Sequence, residues 1–460
     1  MMVVESIKKE ILSNVPEYVP ENYNWHGIEE FENLIYEKDG FRIYGDAIQS
    51  ALDKYKCIEI PKRESMYLEK PIIMKSGFRL KLDRYQHIAN MPDLRTCLIR
   101  NESIINAETK RAVHENFDTD ISVDGGIWDG GLKDTDGEDK RLATGLTPEY
   151  KCALSVMIFV NIENLVVRNA EFKNGGINYA VQLGSIKHFH ISNLTYIRYG
   201  RDGVHVNGPA SYGEICNLCG EDMGDDIVAL NAWDWDTSAI TFGTIEKMYV
   251  HDNKTTNNEL RLLPGRKVYE NDFVDCDIRD CILERLSGIY TFKLYCQPNI
   301  FNAEIEGYHD VSGTVGNIYN VWFKDIDIDE NKSSGFHGLP VNGIFDICSD
   351  CHDLHFENIN VLSAMEDVEK RKMKFVSVGP LSAVWKNGSE NPDDWGEVFD
   401  PDAVCHVENL YFKNITFKDG KATTKEQLTK EIQMHINPDY PTSTPRGGTG
   451  YGKLGKIYID

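Results

Sequence analysis

Leu165-Val-Val167-Arg-Asn169-Ala-Glu-Phe172 and Phe189-His-Ile191-Ser-Asn193-Leu-Thr-Tyr196 share one phrase: apolar, any, apolar, any, Asn or Asp, apolar, any, apolar. The phrase returns as Met248-Tyr-Val250-His-Asp252, Cys276-Asp-Ile278-Arg-Asp280-Cys-Ile-Leu283 and Val321-Trp-Phe323-Lys-Asp325-Ile-Asp-Ile328. Two later copies are Leu354-His-Phe356-Glu-Asn358-Ile-Asn-Val361 and Leu410-Tyr-Phe412-Lys-Asn414-Ile-Thr-Phe417. Each copy reads as a short period-two strand, a turn-prone Asx and a second short strand. Asn169, Asn193 and Asn217 recur at about 24 residues, a solenoid spacing. Strands this short cannot bury a face alone, so successive coils must stack as parallel ladders about 4.8 Å apart. The sequence therefore predicts an all-β fold, a single-stranded right-handed parallel β-helix with a small N-terminal helical cap. The longer gaps between later copies read as inserted loops.

Outside the repeat, Gly45-Asp-Ala-Ile-Gln-Ser-Ala-Leu-Asp-Lys-Tyr55 has the pattern of a short amphipathic helix. Strand-like Cys57–Ile60 and Ile72–Leu82 follow it. A solenoid needs its open ends covered. The expected organisation is an N-terminal cap and first coil over 1–70, a β-helix over 71–420 and a C-terminal cap or tail over 421–460.

The chain has 460 residues, 41% hydrophobic and 27% charged, which supplies apolar material for a continuous core. Acidic residues outnumber basic ones 73 to 49, for a net charge of -24. That field repels nucleic acid and anionic membranes, so neither is an expected partner. It also opposes a long polyanionic glycan, and a neutral or short oligosaccharide suits it better. The opening residues lack the basic and apolar regions of a signal peptide, which predicts a cytoplasmic protein; a secreted chain trimmed of its leader would look the same. Eleven cysteines, an odd number, fit reduced thiols. Cys216-Asn-Leu-Cys219 and Cys348-Ser-Asp-Cys351 have zinc-ligand spacing but stand far apart in sequence, so the expectation is small apolar thiols inside the coil and no metal or other cofactor.

The repeat also fixes where acidic side chains meet. Asp202 lies nine residues after Asn193, Asp226 nine after Asn217 and Arg261 nine after Asp252, so the three should form one column. Asn178, nine after Asn169, extends it. Carboxylates one ladder step apart repel, leaving a protonated acid beside an ionised base, the pairing glycoside hydrolysis needs. Strict alternation would bury the aspartates. Asp202-Gly203 and Gly224-Asp225-Asp226 are therefore placed at the bends entering each strand, with His205 facing outward.

Gly200-Arg-Asp202-Gly-Val-His-Val-Asn-Gly208, followed by Gly224-Asp-Asp226-Ile-Val-Ala-Leu230, resembles the family 28 glycoside hydrolases, the polygalacturonase group. Their Asn-Thr-Asp-Gly and Gly/Gln-Asp-Asp motifs stand one coil apart in the same way. The Ala-Ile-Gln-Ser-Ala-Leu phrase and Asp124-Gly-Gly-Ile-Trp-Asp129-Gly also look like that superfamily's opening, and the likeness spans about residues 40 to 330. It implies Asp225 as general acid, Asp202 and Asp226 holding the nucleophilic water, and inversion at the anomeric carbon. The family's Gly-His-Gly motif is absent, with Ile240-Thr-Phe-Gly243 in its place, and its Arg-Ile-Lys appears as Arg261-Leu-Leu263. The Lys that binds a uronate is thus lost, which points away from a strict polygalacturonase. Lys293 is the weaker candidate for that role. Trp233 and Trp235 could stack on sugar faces.

The resulting expectation is an exo-acting, inverting glycosidase for oligosaccharides, pectin-derived fragments among them. Arg261, His205, Asn178, Trp233, Trp235 and Lys293 would bind substrate. The competing readings are a β-helix polysaccharide lyase using aspartate-bound Ca²⁺ and a non-catalytic carbohydrate-binding β-helix. The sequence leaves oligomeric state open.

Overall fold

The computed structural model describes residues 2–92, 96–104, 117–131, 155–175, 179–197, 199–221, 223–233, 240–269, 272–295, 316–329, 343–363, 374–378, 405–418, 423–434 and 452–460. Contacts divide the chain into two compact units. One comprises Met1–Ala229, Asp236–Phe242 and Met248–Thr255, the other Leu230–Trp235, Gly243–Lys247 and Thr256–Asp460.

Both units are parallel β-helix. In the first, strands Ser155–Arg168, Tyr179–Ser192 and Val204–Cys216 stack in parallel, with Leu165 opposite Phe189 and Val167 opposite Ile191. Phe189 and Ile191 in turn face Gly213 and Ile215. The period-two pattern works as expected: these apolar side chains are fully buried while their strand neighbours turn outward. Gly213 makes room for the Phe189 ring, since a Cβ there would lie 2.2 Å from it. In the second unit, Leu283, Phe323, Phe356 and Phe412 make an equivalent buried column.

Each coil bends twice at residues in the left-handed region. Asn164 and Asn169, His188 and Asn193, Tyr212 and Asn217, and their later equivalents have φ between 53° and 66°. The recurring Asx has its physical reason here, because a short polar side chain tolerates this conformation better than most. The same side chains also form a ladder. Asn193 Nδ2 donates to Asn169 Oδ1 at 3.0 Å, and Asn169 Nδ2 to Asp124 Oδ1 at 2.7 Å. Asn414 and Asn358 repeat this in the second unit, at 2.9 Å.

One copy of the phrase was misphased in the sequence reading. The pairing of Cys281 with Val321 and Leu283 with Phe323 puts Arg285, φ 53°, at the bend where Asp280 was expected. Asp280 belongs to the other bend of that coil, where it accepts from Asn320 at 3.2 Å.

Helix α1 (Met2–Asn14) was not anticipated, whereas α2 (Gly45–Tyr55) and strand Cys57–Ile60 have the expected bounds. α2 buries Ala47, Ile48, Ala51 and Leu52. α1 lies on the outer face of the first unit, where the Asn14 carbonyl pairs with His188 Nδ1 at 2.9 Å. Trp128 is wholly buried and donates to the Gly125 carbonyl at 3.0 Å. Gly125 is required there: its φ is +92°, and a Cβ would sit 2.1 Å from the Leu82 carbonyl oxygen. Among the described residues no helix is long and apolar enough to cross a membrane.

The Asx ladder gives a first prediction. Asn193→Ala loses the bond to Asn169 and places alanine in the left-handed region, which together should cost about 1–2 kcal/mol. Asn193→Gly relieves the backbone only and should fall between wild type and alanine. Urea denaturation of the three proteins checks that order.

Candidate active site

Asp202 and Gly203 form the bend entering strand Val204–Cys216, and Gly224 and Asp225 the bend entering Asp226–Asn231. Gly203 N–H donates to the Asp226 carbonyl at 3.0 Å, which sets Asp202 and Asp226 side by side on neighbouring coils. The bends nest backbone on backbone. A Cβ on Gly224 would lie 2.6 Å from the Gly200 carbonyl oxygen, and one on Gly203 2.7 Å from that of Ile227. Under them lie Tyr196 and Tyr199, whose phenols burial holds well above their ordinary pKa.

One carboxylate oxygen from each of Asp202, Asp225 and Asp226 lies within 4.8 Å of the others, and all three residues are buried. Asp202 is the most defined of them. Its Oδ1 accepts from the Asp226 backbone N–H at 3.3 Å, and its Oδ2 meets His205 Nδ1 at 2.6 Å.

The ring's proton can be placed by working back from a group that can only donate. Ile240 N–H donates to Asn207 Oδ1 at 3.3 Å, and Gln182 Nε2 lies 3.1 Å from the same oxygen. The Asn207 amide nitrogen is therefore the atom 3.2 Å from His205 Nε2, which must accept. His205 thus carries its proton on Nδ1 and donates from it in a hydrogen bond to Asp202 Oδ2. Its ring stacks on Tyr179 with centroids 4.0 Å apart.

His205 faces outward by parity, as expected, since Val204 and Val206 on either side lie in the core, but it is covered, at 1% exposed. The bend at Asp202-Gly203 lets the carboxylate close over the ring, so parity along the strand does not decide what the ring meets. Arg201 was missed in the sequence. Its Nη1 stands 3.6 Å from Asp225 Oδ2, and its place beside Asp202 in the Gly200-Arg-Asp202 motif was the available signal.

Asn178 and Trp235 lie outside the described residues. Arg261, in the second unit, is buried on strand Lys254–Leu263. Lys293, expected to bind substrate, is wholly buried in an ion pair with Glu259, which also accepts from Tyr290. Trp233 is 2% exposed and its ring packs on Gly265, so it is covered instead of being open to a sugar.

Fold and site define a parallel β-helix protein with an aspartate cluster where two neighbouring coils bend. No family model matches the sequence, and no curated protein matches it. Among solved structures the chain is similar to a hyperthermoactive exopolygalacturonase from Thermotoga maritima, with TM-score 0.52 and 14% identity over 91% of this chain and 97% of that one. It is also similar to the family 28 exopolygalacturonase of Yersinia enterocolitica, with TM-score 0.50 and 11% identity over 95% of this chain and 78% of the other. A third similar structure is the polygalacturonase of Erwinia carotovora ssp. carotovora, with TM-score 0.50 and 11% identity over 87% and 95% of the two chains.

Proposed function

We propose that the protein is a glycosidase that cleaves neutral or short oligosaccharides, exo-acting and by single displacement. Asp225 protonates the leaving oxygen, while Asp202 and Asp226 hold and activate water. The observation that carries this reading is the convergence of three buried carboxylates on neighbouring coils, with Asp202 locked as an acceptor by His205. The polygalacturonases named above share the fold and support a glycosidic bond as the target.

Electrostatics favour one proton among the three. Two anions 4.8 Å apart repel by roughly 3 kcal/mol at an effective dielectric constant of 20. Asp225 is repelled by both neighbouring carboxylates and attracted by Arg201. Asp202 accepts two hydrogen bonds and so suits the charged form.

The spacing raises a second stereochemical reading. Two-carboxylate inverters keep their groups about 6.5–9.5 Å apart and retaining enzymes about 5–5.5 Å, and the oxygens here are closer than the inverting range. In the proposed scheme Asp202 and Asp226 together hold the water on the face of the sugar opposite the bond that Asp225 protonates. Proton NMR of the first-formed anomer decides the matter: inversion is expected, and retention would establish double displacement through an aspartyl ester.

The same three oxygens are near enough to hold a divalent cation, as a lyase would require. Products absorbing in the ultraviolet and activity abolished by chelator would replace the hydrolase reading with that one.

His205, itself buried, donates to Asp202. His205→Ala should therefore lower kcat about 10–100-fold, the worth of one hydrogen bond to a charged group, with little change in KM. A loss confined to KM would place His205 against substrate instead.

A further inference from the structure

At the far end of strand Val204–Cys216 from Asp202, the outer face of the first unit gathers a second set of chemically active side chains. His190 and Glu214 are direct partners across neighbouring coils, and Ser192 and Cys216 are the next outward pair. Phe189, Ile191 and Ile215 between them turn into the core, so alternation puts His190, Glu214 and Cys216 on one face. His190 Nε2 lies 3.7 Å from Glu214 Oε2 and 3.8 Å from Cys216 Sγ. All three donor atoms fall within 4.8 Å of one another.

These separations can be set against zinc's own geometry. With Zn–N near 2.0–2.1 Å, Zn–O near 2.0–2.2 Å and Zn–S near 2.3 Å, tetrahedral ligand atoms stand roughly 3.3–3.6 Å apart. The two separations from His190 need to close by only a few tenths of an ångström, and the one between the Glu214 oxygen and the Cys216 sulfur, within 4.8 Å, by up to about 1.2 Å. A supporting shell is also present. His251 Nε2 meets Glu214 Oε1 at 2.9 Å, leaving Oε2 turned toward His190, and His251 Nδ1 meets Asp252 Oδ2 at 2.6 Å. The Asn217 amide lies 3.7 Å from the Cys216 sulfur, where it would stabilise a thiolate.

We propose that His190, Glu214 and Cys216 bind a zinc ion on the outer face of the first unit, with a water completing the tetrahedron and His251 and Asp252 orienting Glu214. A nitrogen, an oxygen and a sulfur donor suit zinc better than calcium or magnesium, which take oxygen ligands. The ion would pin two neighbouring coils at a bend and is independent of the hydrolase reading. This differs from the sequence expectation for these cysteines: Cys216 is recruited by the ladder of coils, and its sequence partner Cys219 is exposed and free. Burial holds His190 below its ordinary pKa, which favours the neutral ring a metal needs. Burial likewise pushes the Cys216 thiol up to about 12, so metal binding must release its proton.

The test is titration of the reduced, chelator-stripped full chain with Co²⁺ and then Zn²⁺. One equivalent of Co²⁺ should give a thiolate-to-metal charge-transfer band in the near ultraviolet, and one equivalent of Zn²⁺ should erase it. Cys216→Ala should abolish the band and Cys219→Ala should leave it intact. His190→Gln should weaken Zn²⁺ binding at least tenfold, and His251→Gln about 10–100-fold as an outer-shell partner. Circular dichroism confirms that each variant folds; should Cys216→Ala not fold, His190→Gln decides the question. No band in folded wild type, a band that survives Cys216→Ala, or Zn²⁺ affinity unchanged in His190→Gln overturns the proposal.

Discussion

Asp225→Asn should lower kcat/KM by about 10²–10⁴-fold on any oligosaccharide the wild type hydrolyses, the range general acid catalysis contributes. Asparagine keeps the shape and cannot give up a proton. The backbone carrying it is fixed by the Gly224 and Gly203 contacts, so the fold should not change. The substrate is found by screening plant and microbial oligosaccharides with both proteins in parallel. Hydrolysis by wild type that persists undiminished in Asp225→Asn would remove Asp225 from the mechanism.

The acid and base roles separate with leaving-group chemistry. An aryl glycoside whose phenol leaves readily needs little protonation, so the Asp225→Asn deficit should shrink on it by a factor of ten or more. Asp202→Asn or Asp226→Asn should show no such recovery, because the missing function is activation of water. External azide should instead restore turnover in those two and yield the inverted glycosyl azide. If Asp202→Asn is the variant recovered by a good leaving group, the roles of Asp202 and Asp225 are exchanged.

How far the sequence foretold this arrangement depends on which physical constraint each residue answers. Asn169, Asn193 and Asn217 were readable because the left-handed bend selects Asx, and the coil length then put Asp202 and Asp226 in the same phase. The signal failed where the bend is held by another residue type. His188, Tyr212, Lys247 and Arg285 are left-handed as well, and Arg285 is why the copy around Asp280 was placed one bend early. Side-chain partners across coils were less legible still. His205 pairs with a carboxylate on its own bend, and Lys293 pairs with Glu259 from another strand; neither is coded by strand parity. Cys216 showed only its sequence neighbour Cys219, while its spatial neighbours His190 and Glu214 come from ladder register.

Among the described residues of the second unit, Phe345→Ala should be the most destabilising single truncation. Its ring is wholly buried and meets four others: Phe292 at 4.9 Å, Phe323 at 5.0 Å, Phe356 at 4.6 Å and Phe375 at 5.3 Å. Phe292 stacks parallel to it along the ladder, and the other three present edges, the two geometries that add to simple burial. Those rings come from four different strands that backbone bonds hold at fixed spacing, so the space cannot collapse, and the cost should be about 3–5 kcal/mol. In a solenoid each coil is supported only by its neighbours, so the loss should be local. Hydrogen exchange in Ser287–Tyr295, Gly343–Cys348 and Lys374–Val378 should accelerate by about 10²–10⁴-fold, tenfold for each 1.4 kcal/mol. Exchange in Tyr179–Ser192 and Val204–Cys216 of the first unit should stay within a few-fold of wild type. Equal acceleration in both units would mean that the whole chain opens as one cooperative body, and that short-range support between coils is not what limits its stability.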